Sequence, residues 1–217
     1  MEYIFIDLDG TIINSKIGIT RAIEYTLGQW NIIVEDLESL TKFIGPPIKD
    51  TFIEDYNFSE EEASVATELY RKYFEENGFC EDEVYEGIEE LLLRLKQANK
   101  KMIVATSKRE TTARRIIEYF KLSKYFDDIC GADLGEGRSK KEEVIRYAIE
   151  KNGIMDYSKV VMVGDRKYDI EGAKAVGIPS IGVLYGFGSR EELIEAGANQ
   201  IAVTVEDLYE VIINFKL

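Results

Sequence analysis

The chain has 217 residues, 45% of them hydrophobic, with 41 acidic against 27 basic residues and a net charge of −14. That suits one α/β domain, or one domain carrying a smaller insert, and argues against a nucleic-acid partner, because phosphate backbones are bound by clustered Lys and Arg. Histidine is absent, which excludes Ser-His-Asp triads, Cys-His pairs and His-ligated zinc together and leaves acid–base work to carboxylates, Lys, Tyr or Cys.

The first predicted element is a strand over Tyr3-Ile4-Phe5-Ile6, β-branched or aromatic throughout. It runs into Asp7-Leu8-Asp9-Gly10-Thr11. Two carboxylates at the end of a buried strand break the local pattern, and such breaks are expected at functional sites. The alternative is an exposed turn. With a strand starting this close to Met1, no signal peptide is expected. Cys80 and Cys130 show no C-x-x-C spacing, so unpaired thiols in a reducing cytoplasm are expected. The longest apolar run is too short to span a membrane.

Residues from about Ile19 to Asn77 read as helices: Thr20 to Trp30, Glu35 to Phe43, Ile48 to Tyr56 and Ser59 to Glu76. Ser59 with Glu62 is a helix start, and Asn77-Gly78 a stop. From Tyr85 the pattern alternates. Helices are predicted at Gly87–Gln97, Glu110–Phe120, Lys140–Lys151, Tyr168–Val176, Glu191–Ala196 and Val205–Phe215. Strands are predicted at Lys101–Ala105, Asp128–Ala132, Lys159–Val163, Ser180–Val183 and Gln200–Val203. Repeated β-then-α units predict a doubly wound parallel sheet with helices on both faces. The helical block interrupts it as an insert, giving an α/β core over 1–15 and 84–217 and a helical domain over 16–83.

Ligands bind such sheets beyond the carboxyl ends of the strands. There the sequence places Asp7 to Thr11, then Thr106-Ser107-Lys108, then a Gly-rich loop leading to Ser139-Lys140-Lys141, then Gly164-Asp165 to Asp169. Four polar endings converge on one edge. As charged residues near that edge, Lys108 and Arg166 are expected to be solvated.

In these residues the chain resembles phosphatases of the haloacid dehalogenase (HAD) superfamily. D-x-D-G-T follows the first strand, a Thr or Ser the second; a Lys heads a later helix, and G-D-x-x-x-D follows the fourth strand. The resemblance implies a HAD-like Rossmannoid core with an inserted α-helical C1 cap. Gly186-Phe187-Gly188-Ser189-Arg190, followed by Ala196-Gly197-Ala198, resembles a pattern of the phosphoglycolate phosphatase-like branch. Asn14 and Glu86 depart from the family pattern, where Asp and Pro are usual, but neither position does the proposed chemistry.

The chemistry implied is hydrolysis of a small phosphorylated metabolite through an aspartyl-phosphate. Asp7 is the expected nucleophile, and Asp9 the general acid and then base. Mg²⁺ is the expected cofactor, since a phosphate dianion meeting a carboxylate needs a hard cation. The family's ligands map onto the Asp7 side chain, the Asp9 carbonyl and the Asp165 side chain, with Asp169 behind them or simply a helix N-terminal acid. Thr106 and Ser107 are expected on phosphate oxygens, although Ser107 equally suits a helix N-cap. Lys141, chosen over Lys140 for its spacing to Val144-Ile145, is expected to hold phosphate and nucleophile together. Gly45, Pro46 and Lys49 are the candidate substrate contacts of the cap; the alternative is a plain inter-helix turn. A β-phosphoglucomutase-type mutase shares these motifs, a 5′-nucleotidase is a second alternative, and a non-catalytic binding protein a third. Monomer and homodimer are both compatible with the acidic surface.

Overall fold

The computed structural model describes residues 1–133 and 137–215. Part of the Gly-rich loop before Ser139, residues 134–136, lies outside the described residues. The chain forms two compact units, residues 1–12 with 84–217 and residues 13–83.

In the first unit β1 (Tyr3–Ile6) pairs in parallel with β4 (Lys101–Arg109) on one side and β6 (Val160–Gly164) on the other. β5 (Asp128–Ala132) extends the sheet beyond β4, and β7 (Ser180–Val183) and β8 (Gln200–Ala202) extend it beyond β6. All pairings are parallel. Counted in chain order, the six strands lie 3-2-1-4-5-6. That order reverses direction at the first strand, which opens a crevice between β1 and β6 at their carboxyl ends.

The intervening helices are α4 (Ile88–Gln97), α5 (Glu110–Tyr119), α6 (Lys141–Lys151), α7 (Lys167–Val176), α8 (Arg190–Ala196) and α9 (Val205–Ile213). Phe5, Ile103 and Met162 of the sheet pack with Val144, Ile145 and Ala148 of α6 and Ala173 of α7 in one buried cluster. This packing makes β1 rigid where it delivers Asp7. Phe5 is fully buried. Phe5→Ala is expected to cost about 3–5 kcal/mol through lost burial and the cavity left behind. A urea midpoint unchanged from wild type would contradict that.

The sheet edge at β5 is covered by side chains. Arg114 donates to the Ile129 carbonyl at 2.6 Å and Arg138 to the Gly131 carbonyl at 2.8 Å. Backbone groups occupied in this way are not free to pair with another strand.

The second unit contains β2 (Ile13–Asn14), α1 (Lys16–Gly28), a 3-10 helix over Leu37–Phe43, α2 (Ile48–Glu54), α3 (Glu60–Glu76) and a 3-10 turn over Gly78–Cys80. β2 pairs with β3 (Glu83–Val84) where the segment begins and ends. Ser59 and Glu62 close a reciprocal cap on α3, each accepting from the other's backbone N–H. Phe52 and Phe58 stack at 5.7 Å in the core of the unit. Among the described residues no helix is long and apolar enough to cross a membrane.

Two elements differ from expectation. The segment read as a helix over Glu35–Phe43 is a shorter 3-10 helix, started at Leu37 because the Asp36 carboxylate accepts from the Glu38 N–H at 2.9 Å. β4 does not stop at Ala105. It continues to Arg109 with a shift of register, so that Arg109 pairs with Ala132. Thr106, Ser107 and Lys108 therefore sit on extended strand, and Arg109, not Ser107, occupies the N-cap of α5.

Candidate active site

Each functional side chain is placed by the end of an element. The β1–β6 ladder runs on to the Asp7 N–H, which donates to the Val163 carbonyl at 2.9 Å. This fixes Asp7 beside Gly164 and Asp165. At α6 the Glu143 carboxylate accepts from the N–H groups of Ser139 and Lys140 at 2.8 and 2.9 Å. The helix consequently begins at Lys141, which is buried, while Lys140 remains exposed. The Lys141 stem lies against Gly172 of α7, where even a methyl group would stand 2.9 Å from its Cβ and Cγ. A long side chain can thus reach inward along an apolar wall and deliver its charge at the end.

The Lys141 ammonium lies 2.7 Å from Asp7 Oδ1 and 2.7 Å from Asp169 Oδ1, and donates to the Ala105 carbonyl at 3.1 Å. Asp7, Asp165 and Asp169 are all buried, and each offers an oxygen within 4.8 Å of the others. Asp169 also caps α7, accepting from the Arg166 N–H at 3.1 Å. The helix-acid role and the position beside the cluster therefore coexist in one side chain.

Three buried carboxylates against one ammonium leave negative charge uncompensated. Burial, reinforced by the charge on Asp169, pushes the Asp7 carboxyl up to about 6 against the pull of Lys141. Burial likewise holds Asp165 well above the usual carboxylate range, with Asp169 and Asp7 adding to it. For Lys141, burial works to lower the pKa, but Asp169 and Asp7 outweigh it and hold the ammonium charged. The excess of buried oxygen charge fits a hard divalent cation, which takes carboxylate oxygens as ligands. The Oδ1 atoms of Asp7 and Asp169 are both buried and both turned on the single Lys141 ammonium, one cation between two carboxylates.

Asp9 lies on the same edge. Lys108 stands 3.2 Å from its Oδ1, and the two side chains are only 10% and 14% exposed. Lys108 is therefore not a solvated charge. The reason is the extended path of β4, which carries Lys108 two residues beyond Thr106 instead of releasing it into a loop. That spacing, on a strand read as longer, is the sequence signal that identifies it. Arg166 is not solvated either, pairing with Glu192 at 2.9 Å. Thr106 is buried and its hydroxyl accepts from the Lys108 N–H at 3.2 Å, while Ser107 is half-buried beside it.

Gly45, Pro46 and Lys49 belong to the second unit. Gly45 takes a left-handed backbone (φ 113°) in the turn before α2, and Lys49, in the first turn of α2, pairs with Glu60 at 3.0 Å.

Comparison with known proteins agrees with this architecture. A 5′-nucleotidase of Pseudomonas aeruginosa is 40% identical over 190 residues, covering 88% of this chain and 86% of that protein. The tyrosine-protein kinase PtkA of Mycobacterium tuberculosis is 33% identical over 213 residues, 96% of this chain and 72% of that protein. A phosphoglycolate phosphatase of Aquifex aeolicus is 32% identical over 196 residues, 86% of each. The crystal structure of a predicted phosphatase from Clostridium acetobutylicum superposes with a TM-score of 0.96 at 48% identity, covering 99% of both chains. The model of the haloacid dehalogenase-like hydrolase family matches residues 3–183, a span that takes in every strand-end group described above, and the chain belongs to that family.

Proposed function

We propose that this protein is a Mg²⁺-dependent phosphomonoesterase that hydrolyses a small phosphorylated metabolite through an aspartyl-phosphate on Asp7. The observation that carries the reading is the buried Lys141 ammonium held between Asp7 and Asp169, with Asp165 as third carboxylate, at the point where the strand order reverses. A phosphoryl group entering there meets a nucleophile, a fixed positive charge and the Thr106 hydroxyl. In phosphoryl transfer such positioning and charge do most of the work.

The steps balance with the residues at hand. The Asp7 carboxylate forms a bond to phosphorus as the ester P–O bond breaks, and the leaving oxygen takes the proton of Asp9. Water then attacks the phosphorus of the aspartyl-phosphate, giving its proton back to Asp9, and the Asp7–phosphate bond breaks to release inorganic phosphate. Lys108 holds the Asp9 side chain at the edge of the site. The Asp7 and Asp165 side chains and the Asp9 carbonyl would hold the cation, with Asp169 beside them. When bound, Mg²⁺ supplies the positive charge that lets two anions meet. Gly45, Pro46 and Lys49 are the proposed substrate contacts of the helical unit.

Among substrates, nucleoside 5′-monophosphates come first, because the nucleotidase relative is 40% identical against 32% for the phosphoglycolate phosphatase. The test is phosphate release with Mg²⁺ and with EDTA from p-nitrophenyl phosphate, nucleoside monophosphates, phosphoglycolate and hexose phosphates. Mg²⁺-dependent release is expected. Isomerisation of β-glucose 1-phosphate without net release would replace hydrolysis by mutase chemistry. The similarity to PtkA adds one arm: transfer of the ATP γ-phosphate to protein tyrosine, without monoester hydrolysis, would also overturn the reading.

The cation assignment makes a prediction about stability. The Asp7 carboxyl rises to about 6 in the fold, above its ordinary value of 3.8. Between those values the folded state binds more protons than the unfolded, so the contribution of Asp7 to stability falls as pH rises through the window. The difference is on the order of 3 kcal/mol at about 1.4 kcal/mol per unit. Metal-free protein is therefore expected to melt lower at pH 8 than at pH 5, and Mg²⁺ to raise the melting temperature more at pH 8. Asp7→Asn is expected to flatten that slope. Equal Mg²⁺ effects at both pH values in the wild type would count against a cation on these carboxylates.

A further inference from the structure

The loop after β7, Leu184 to Ser189, has no part in the chemistry above, yet it is folded directly onto Asp165. The Phe187 N–H donates to Asp165 Oδ2 at 2.8 Å. The Thr11 hydroxyl donates to Asp165 Oδ1 at 3.4 Å, and the Tyr185 hydroxyl donates to the Thr11 carbonyl at 3.1 Å. Tyr185 is braced in turn by Tyr85, their rings meeting edge-on with centroids 5.2 Å apart. The loop backbone passes so close that side chains do not fit. A methyl group on Gly186 would stand 2.3 Å from the Gly10 carbonyl oxygen and 2.4 Å from Asp165 Cβ. On Gly188 it would stand 1.9 Å from the Asp165 carbonyl oxygen.

An aspartate carboxylate rotates about a soft torsion with no sharp preference. Mg²⁺ in contrast demands near-ideal octahedral geometry from its oxygens. A carboxylate that is to serve it needs one oxygen anchored so that the other is aimed. The Phe187 N–H supplies such an anchor, and the two glycines let the backbone approach closely enough to supply it. Thr11 and Tyr185 tie the same loop to the turn that carries Asp7 and Asp9, so the two halves of the carboxylate cluster share one frame.

We propose that the Tyr185–Gly188 loop is a positioning element for the cation site: it orients Asp165 toward Asp7 and Asp169 and thereby sets Mg²⁺ affinity. The inference rests on the reading of Asp165 as a cation ligand. It gives a physical role to the Gly186-Phe187-Gly188 pattern, whose small residues are required by contact with Asp165.

The test is calorimetric Mg²⁺ binding to purified Gly188→Ala, Tyr185→Phe, Asp165→Asn and Val176→Ala, with melting temperatures and Mg²⁺ dependence of turnover measured on the same samples. Gly188→Ala is expected to raise the Mg²⁺ Kd about 10–100-fold, the range typical when a partner of a metal ligand is lost, with kcat recovering toward wild type at saturating Mg²⁺. Tyr185→Phe is expected to raise the Kd severalfold. Val176→Ala, in the core cluster at the far end of α7, should lower the melting temperature and leave the Kd unchanged, as a merely structural effect would. A folded Gly188→Ala protein with wild-type Kd overturns the proposal. If Gly188→Ala does not fold, an unchanged Kd in Tyr185→Phe overturns it. If Asp165→Asn itself binds Mg²⁺ as wild type does, the ligand reading fails; loss in Asp165→Asn alone sinks the positioning role and spares that reading.

Discussion

Replacing Asp7 by Asn is expected to remove turnover, by on the order of 10⁴-fold or more, while the protein stays folded and melts no lower than wild type at pH 8. The first half follows from chemistry. The amide has no charge with which to attack phosphorus, and no other carboxylate takes its place: Asp165 is anchored by the Phe187 N–H and Asp169 by the cap of α7. The second half follows from the electrostatics of the cluster. Asp7, Asp165 and Asp169 repel one another in a buried site, and Lys141 pairs with two of them. Removing one charge leaves Lys141 paired with Asp169 and relieves the repulsion that adds to burial in raising Asp165. Burying fewer unpaired charges costs less. Phosphate release and a thermal melt on the same preparation check both parts. A folded variant retaining a few per cent of wild-type turnover would remove Asp7 as nucleophile. A large drop in melting temperature would show that Asp7 is part of what holds β1 and β6 together.

The parts of this site that were legible in the sequence are those fixed by short-range pattern. An apolar run ending in Asp7-x-Asp9-Gly10-Thr11 reads as a strand that delivers carboxylates, against the alternative of an exposed turn, and Asp7 is buried. The preference for Lys141 over Lys140 likewise rests on spacing to Val144 and Ile145, which face the core one turn later, and Lys141 is the buried one of the two. What the sequence hid depends on contacts between distant residues. Thr106-Ser107-Lys108 is polar and reads as a loop, yet a shift of pairing against β5 keeps it extended and turns Lys108 onto Asp9. Nothing local in Gly186-Phe187-Gly188 points to Asp165, 22 residues earlier than Phe187. The Tyr185 hydroxyl finds the Thr11 carbonyl across 174 residues of chain. Such pairings are set by the order of strands in the sheet, which alternation of elements suggests but does not specify. The 3-10 helix at Leu37–Phe43 departs from the expected helix for the opposite reason. Its composition suits a helix, but the Asp36 side chain competes for the first backbone donor and starts a tighter turn.

Replacing Lys141 by Met is the second change with a large expected effect, and it acts on stability as well as rate. Met preserves most of the apolar stem that lies against Gly172 and deletes the ammonium. Asp7 and Asp169 then face each other with no charge between them. Breaking a buried pair by removing one partner typically costs about 3–5 kcal/mol, and the metal-free variant is expected to melt well below wild type at pH 8. Because Lys141 is what pulls the Asp7 carboxyl down, its removal lets that carboxyl rise further above about 6, and since protonation is the remaining way to relieve the carboxylates, the loss should shrink as pH falls toward that value. Turnover at saturating Mg²⁺ is expected to fall by about 10²–10³-fold, the scale on which one preorganised charge contact to a reacting group is worth. The double variant Asp7→Asn with Lys141→Met separates the two effects. Its stability should exceed that of Lys141→Met alone, because the orphaned charge has been removed, so the two changes are non-additive in the direction of a direct pair. Its turnover should be no better than Asp7→Asn. Lys140→Met, at the exposed neighbouring position, is expected to leave both quantities unchanged; if instead it lowered turnover as far as Lys141→Met does, the phosphate-site lysine would have been assigned one residue too late.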